Sequence, residues 1–183
     1  MMRKWALLFL AFLLAFAALP VLAQEEARQE TVRQLNALVE EYLDAKEYIY
    51  DFEDDVFTLD FEMESSLASC TVKVYVYYDM VSVTAIPVMR VPEANRDALA
   101  KFIALANNEV FYSYFRMDYG NGWFGTRSAQ LVESVLPGME ELDVLFHMPL
   151  NDLEDFGDAI AQVALAGADP QEAFIAAMAK LEE

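Results

Sequence analysis

Apolar and polar positions along this chain repeat with two different periods, and each change of period marks a predicted element. Between residues 25 and 46 the apolar positions recur every three or four residues, as on the buried face of a helix. This face comprises Val32, Leu35, Leu38, Val39, Tyr42 and Leu43. We therefore expect the folded part of the chain to begin with one amphipathic helix.

Three strands are predicted next. Residues 56–64 and 69–78 alternate with a period of two, which indicates antiparallel strands with one buried and one solvated face. Residues 81–89 form a third β-rich run, and a brief extended segment at residues 48–51 precedes all three. Cys70 lies on the apolar side of the second strand, so we expect its thiol to be buried.

A helix and then a hairpin follow these strands. Pro92 suits the first turn of a helix, and Asn107 suits its end because Asn tolerates the left-handed conformation. Residues 111–118 and 123–134 alternate again with a period of two, which predicts two paired strands. The Gly120-Asn121-Gly122 loop between them supplies residues that accept positive φ angles, as hairpin turns demand.

The last part of the chain is predicted to be helical. Residues 139–148 form a short helix that Pro149 ends or kinks, residues 151–166 form a second helix, and Asp169 caps a third. The whole pattern predicts the α+β class. We expect an N-terminal helix, an antiparallel sheet of about five strands interrupted by a central helix, and C-terminal helices on one side of the sheet.

The segment before the first helix has the features of a secretory signal peptide. Arg3 and Lys4 precede an uncharged apolar run at residues 5–19, and Val21 and Ala23 place β-branched and small residues at positions −3 and −1 before Gln24. We therefore predict that residues 1–23 are a signal peptide. The mature chain would be exported to the periplasm or fully secreted. An uncleaved membrane anchor is the alternative, although the apolar run is short for a membrane span.

The mature chain, residues 24–183, has the length of one domain and is strongly acidic. The whole sequence has 12 Lys and Arg against 31 Asp and Glu. Without Arg3 and Lys4, 10 basic residues remain, and the net charge is −21. Such a surface repels nucleic acid and anionic lipid, so we predict neither as a partner and expect any electrostatic partner to be basic or a cation.

No catalytic, cofactor-binding or metal-binding constellation is recognisable in the sequence. The one histidine, His147, lies near a helix end, and we do not expect it to activate Cys70 as a nucleophile. One histidine and one cysteine are too few for a zinc site. Acidic residues crowd the start of the predicted helix at 151–166, where capping and solvation explain them. An exported hydrolase that uses carboxylates and an acidic cation-responsive module stay open as alternatives.

The strongest functional feature is aromatic. Tyr75, Tyr77, Tyr112 and Tyr114 have the parity opposite to the apolar strand residues, and Trp123 could join them. If the strands are neighbours, these rings collect on one face of the sheet and favour protein–protein contact. The alternative is that the terminal helices cover this face and make it part of the core.

The order of these elements is similar to that of a known family. It is carried by the β-rich block at 56–89, the helix start at Val91-Pro92, the helix end at 105–108, and the Tyr-rich hairpin with Arg127. Over residues 35–167 the chain resembles the YbjN family, whose fold is similar to that of the type III secretion chaperones. The resemblance implies a non-catalytic, regulatory or chaperone-like domain that dimerises or binds extended partner segments. An export signal departs from most of that family and argues against a cytoplasmic role.

These observations predict an exported, non-enzymatic protein-binding or chaperone-like domain without a cofactor. Its partner would be another protein or a second copy of itself. The contact would use the Tyr-rich face or an exposed edge of the sheet.

Overall fold

The computed structural model describes the backbone of residues 2–132 and 135–182, and the side chains of those ranges from residue 23 onward. The predicted signal peptide, apart from its last residue, lies outside the range in which side chains are described. Within the described part of the chain, no helix combines the length and the apolar character that a membrane crossing requires.

The predicted α+β class is confirmed, with helices before, between and after the strands. A short 3-10 helix (Glu93–Asn95) precedes α2. In chain order the elements are α1 (Met2–Ala45), β1 (Asp51–Glu53), β2 (Val56–Glu62), β3 (Ser69–Tyr77), β4 (Met80–Pro87), α2 (Arg96–Ala106), β5 (Tyr114–Asp118), β6 (Trp123–Leu131), α3 (Met139–Asp155), α4 (Gly157–Ala166) and α5 (Pro170–Leu181).

The strands form one antiparallel sheet in the order β1-β2-β3-β4-β6-β5. The sheet has six strands where the pattern predicted about five, because residues 51–53, which share only Asp51 with the predicted extended segment, pair with β2 as β1. The register places Val74 opposite Val83, and Val83 opposite Ser128. Residues of one parity therefore line one face of the sheet across all the central strands.

The core lies between the helices and one face of this sheet. Phe57, Val72, Val74 and Val83 point to that face and are at most 2% exposed. The helices bring their own apolar residues to it, chiefly Leu35, Val39, Tyr42 and Leu43 of α1, Leu142 and Phe146 of α3, and Phe156 and Ile160 at the start of and within α4. The predicted inner face of α1 is confirmed, and α2 buries Leu99, Phe102, Ile103 and Ala106.

The predicted end of this helix at Pro149 is wrong, since α3 runs through this residue to Asp155. A proline inside a helix leaves the carbonyl four residues earlier without its donor. Here that carbonyl belongs to Leu145, and the hydroxyl of Ser128 donates to it at 2.5 Å. The hydroxyl of Thr126 donates to the carbonyl of Pro149 itself, also at 2.5 Å. Hydroxyl groups of strand β6 thus donate hydrogen bonds to carbonyls of α3, and the helix continues past Pro149.

Asn107 ends α2, as predicted, but for a different reason. Its backbone is right-handed, with φ −66° and ψ −8°, so tolerance of the left-handed conformation is not involved. Its side-chain amide instead bonds the backbone of Phe115 in β5. In the hairpin loop only Gly122 has a positive φ, +72°, whereas Gly120 and Asn121 do not need one.

The start of β5 differs from the prediction, and α5 turns small residues inward. Strand β5 begins at Tyr114, so Phe111 precedes it and is 90% exposed rather than buried. In α5 the residues packed inward include Ala173 and Ala177, whereas Ile175 and Leu181 are exposed. Small residues face the neighbouring helices here because α5 packs closely on α2 and α4.

Candidate functional site

The face of the sheet turned away from the core carries no described helix. We call it the open face, and it is formed by the strand residues of the opposite parity. Its larger members include Asp51, Glu53, Val56, Thr58, Asp60, Glu62, Thr71, Lys73, Tyr75, Tyr77, Met80, Ile86, Tyr114, Arg116, Asp118, Trp123, Arg127 and Leu131. Helices α1, α3 and α4 pack on the other face, so the alternative in which terminal helices cover these aromatic residues is wrong.

Four of the five predicted contact residues lie on the open face, but they do not form one cluster. Tyr75 and Tyr77 stack along β3, with ring centroids 6.4 Å apart and planes 10° apart. Tyr114 lies on the edge strand β5, with β4 and β6 between it and β3. Trp123 lies at the far end of β6, where the guanidinium of Arg116 lies 5.1 Å from its ring centroid.

Tyr112, the fifth predicted residue, lies elsewhere. It precedes β5 and is 71% exposed. It lines a surface cleft of about 610 Å³ between α3 and β6, together with Ala129, Val144 and Met148. The predicted strand at residues 111–118 placed Tyr112 on the same face as Tyr114. Because β5 begins at Tyr114, that placement does not hold.

A polar layer under the open face fixes Arg127 across the sheet. Ser82 is fully buried, and Thr84 is 4% exposed, although no described helix covers them. The Nε–H of Arg127 donates to the hydroxyl of Ser82 at 2.6 Å, and that hydroxyl donates to the carbonyl of Ser128 at 3.1 Å. Because Ser82 belongs to β4 and Arg127 to β6, the arginine side chain lies over the neighbouring strand.

Three basic side chains collect on the open face, namely Lys73, Arg116 and Arg127. None of them lies within ion-pairing distance of a carboxylate in the part of the chain that the structure describes. The sequence pattern held this signal, since Lys73 shares the parity of Tyr75 and Arg127 that of Trp123. Charged residues are common on the solvent-facing side of a strand, however. Only the register shows that Lys73 and Arg127 lie in one cross-strand row.

The edges of the sheet are protected. The side-chain carbonyl of Asn107 accepts from the N–H of Phe115 at 2.7 Å, and its amide donates to the carbonyl of Phe115 at 3.0 Å. This occupies backbone groups of the edge strand β5 that an added strand would need. At the opposite edge β1 has three residues, of which Asp51 and Glu53 are acidic. Short and charged edges resist the addition of another strand.

The cysteine and the histidine have separate surroundings. Cys70 is 1% exposed, as predicted, and burial raises the pKa of its thiol to about 12. His147 instead bonds Tyr48, with Nε2 3.2 Å from the hydroxyl, and the carbonyl of Asp143, 3.0 Å from Nδ1. Lys46 pairs with the Asp143 carboxylate at 2.5 Å. His147 and Asp143 of α3 are thus held by Lys46 and Tyr48, which lie just after α1, whereas the Cys70 thiol lies apart in the core.

The crowded carboxylates near the junction of α3 and α4 also have structural partners. Ser113 donates to Asp152, and burial raises the pKa of that carboxyl above its ordinary value. The hydroxyl and N–H of Ser66 donate to Asp158 at 2.8 and 2.9 Å, which lowers its pKa to about 2. Among the described residues, no group of three or more acidic, histidine or cysteine side chains is arranged to hold a metal ion.

No protein-family model matches this chain, and no curated protein matches it at a significant level. The resemblance to the YbjN family stays a prediction.

Proposed function

We propose that this chain is an exported, non-enzymatic protein-binding or chaperone-like domain, and that its open face holds a partner protein or a second copy of the chain. The contact uses Tyr75, Tyr77, Tyr114 and Trp123 as aromatic anchors. Tyr112 has no part in it, because it lies in the cleft beside α3.

The observation that carries this proposal is the one-sided packing of the sheet. Strands β2 to β6 present one face to the core, and the other face exposes large aromatic side chains, with Tyr77 and Tyr114 each 44% exposed. Tyrosine and tryptophan bring a large contact area and a polar group at little cost in conformational entropy, which is why they are frequent in protein interfaces. The protected edges favour the face over the addition of a strand.

Photo-crosslinking tests this proposal. A photoreactive amino acid at Tyr75 or Tyr114 of the exported chain should give a crosslinked species of defined mass from intact cell envelopes. The same amino acid at Ile175 of α5, which is 58% exposed, is the control and should give none. Because the open face is the contact surface, Tyr75→Ser with Tyr114→Ser should weaken the crosslink at Trp123 about tenfold.

The matched substitution is Tyr112→Ser, which removes a tyrosine ring that is 71% exposed but lies outside the open face, and it should leave the crosslink unchanged. Equal crosslinking from Ile175, or none from the open face, would contradict the proposal. The mass of the product separates a second copy from another protein.

A further inference from the structure

We propose that the open face recognises an acidic, extended segment of a partner protein, whose carboxylates pair with Arg127 and Lys73. This inference rests on the protein-binding function proposed above and adds the chemistry of the partner. It reverses the expectation drawn from net charge, which pointed to a basic partner.

Arg127 presents a guanidinium that is already oriented for a carboxylate. Its Nε is bound to Ser82 at 2.6 Å, and Ser82 is fully buried, so the side chain has little freedom. Its two terminal nitrogens have no hydrogen-bond partner among the described residues. A guanidinium held in this way offers paired donors whose geometry matches the two oxygens of a carboxylate.

Lys73 lies in the same cross-strand row as Arg127. The register pairs Lys73 with Thr84, and Thr84 with Arg127, so one strand separates the two cations. Two strand spacings place their backbones roughly 10 Å apart. An extended peptide rises about 3.3 Å per residue, so carboxylates two to four residues apart reach both cations. Tyr75 flanks this row and offers an aromatic surface to the residues between them.

The positive charge of this part of the open face contrasts with the net negative charge of the chain, and this supports an acidic peptide over other anions. The chain has a net charge of −19, yet Lys73, Arg116 and Arg127 meet here without a described carboxylate within 4 Å. A long uniform polyanion would extend beyond these three cations and meet the acidic surroundings. A peptide with two or three carboxylates among aromatic or apolar residues matches a basic row flanked by tyrosine. A twofold contact between copies would bring the cations of one row near those of the other.

Selection from a library of short random peptides tests the inference directly. The immobilised mature chain should enrich peptides with two or more Asp or Glu residues spaced two to four apart. Arg127→Gln should weaken binding of a selected peptide about tenfold, since a charge-assisted pair is lost. Lys101→Gln removes one exposed positive charge from α2 and is the matched control, with no expected change.

Arg127→Gln also removes the hydrogen bond to Ser82 and could destabilise the fold. A second variant therefore separates a loss of binding from a loss of folding. Lys73→Gln with Arg116→Gln changes only side chains without a described ion pair, and it should weaken binding several-fold and reduce its dependence on salt. Replacing Asp and Glu by Asn and Gln in the selected peptide should have the same effect as the variants.

The outcomes separate this inference from the proposed function. Selected peptides that are neutral or basic, but that are lost with Tyr75→Ser and Tyr114→Ser, would overturn the acidic chemistry and leave the binding face intact. If no peptide is enriched and no crosslink forms, both proposals fail. Tighter Arg127-dependent binding to single-stranded DNA or to phosphatidylglycerol vesicles than to any selected peptide would overturn the assignment to a protein segment.

Discussion

At the scale of single residues, Pro149 differs most from what the sequence pattern predicts. It lies in the middle of α3, buried, where its ring removes the donor for the carbonyl of Leu145. Ser128 supplies a hydroxyl to that carbonyl from β6. The helix and the strand therefore share one hydrogen-bond system, in which a side chain of the sheet replaces a missing backbone group of the helix.

A double-mutant cycle tests this replacement. Ser128→Ala should lower the free energy of unfolding by about 1–3 kcal/mol, because it leaves a buried carbonyl without a donor. Pro149→Ala restores a backbone N–H to the same carbonyl, so in that background the loss from Ser128→Ala should fall below about 1 kcal/mol. Urea denaturation measures all four variants, and strictly additive losses would show that the hydroxyl does not replace the N–H.

At this scale the sequence predicted buried positions well and contacts poorly. The parity of Cys70 placed it correctly in the core, and the parity of Tyr75 placed it correctly on the opposite face. The position of Arg127 over Ser82 could not be predicted, because it depends on which strands are neighbours. Pro149 was misread because its compensating donor is distant in sequence.

At the scale of elements, the edge of the sheet is closed by a helix end rather than by a strand. Asn107 follows α2, and both functional groups of its amide bond the backbone of Phe115. The side chain therefore acts as one residue of a missing neighbouring strand. It links the central helix to β5 and removes a site at which another chain could pair.

Asn107→Leu should therefore have two effects. It should destabilise the protein by about 1–2 kcal/mol, since two backbone groups of Phe115 lose their partners, and it should promote self-association at high concentration through the freed edge. Urea denaturation and the solution mass measure the two effects. Asn108→Leu is the control, because the Asn108 amide bonds only the nearby carbonyl of Ala104 on an exposed surface. A purely monomeric Asn107→Leu protein would show that the amide does not guard the edge.

The sequence predicted the type and order of the elements but not all their limits. The end of α1 and both ends of β3 agree with the prediction within a residue or so, because their apolar faces are continuous, whereas α1 begins at Met2 rather than near residue 25. The start of β5 and the junction of α3 with α4 were misplaced. The second misplacement follows from a contact distant in sequence, because donors from β6 let α3 continue past Pro149.

At the scale of the whole molecule, Asp158 ties together three distant segments. It accepts from Ser66 after β2, and it pairs with Lys180 of α5 at 3.1 Å, while it belongs to α4 itself. These donors hold the pKa of Asp158 at about 2, below the ordinary 3.8. The folded protein therefore releases this proton more readily than the unfolded chain, and the resulting stabilisation is present above about pH 4.

Asp158→Asn should lower the free energy of unfolding at neutral pH by about 1 kcal/mol, a modest value because the carboxylate is partly exposed. The difference between the native protein and this variant should shrink as the pH falls from about 4 to about 2, where the native carboxylate becomes protonated. Chemical denaturation across this range measures it. Glu64→Gln removes an exposed charge without a described hydrogen bond and should show no such trend. A constant difference for Asp158→Asn would contradict the prediction.

The one-sided sheet also has a consequence for the evolution of this protein. Because neighbouring strand residues point to opposite faces, Val74 belongs to the core while Tyr75 belongs to the open face. Substitutions at the outward positions can change the set of recognised ligands with little loss of stability, whereas the inward positions are constrained by packing. Paralogues with the same scaffold could therefore diverge in specificity by exchanging the outward-facing residues of strands β2 to β6.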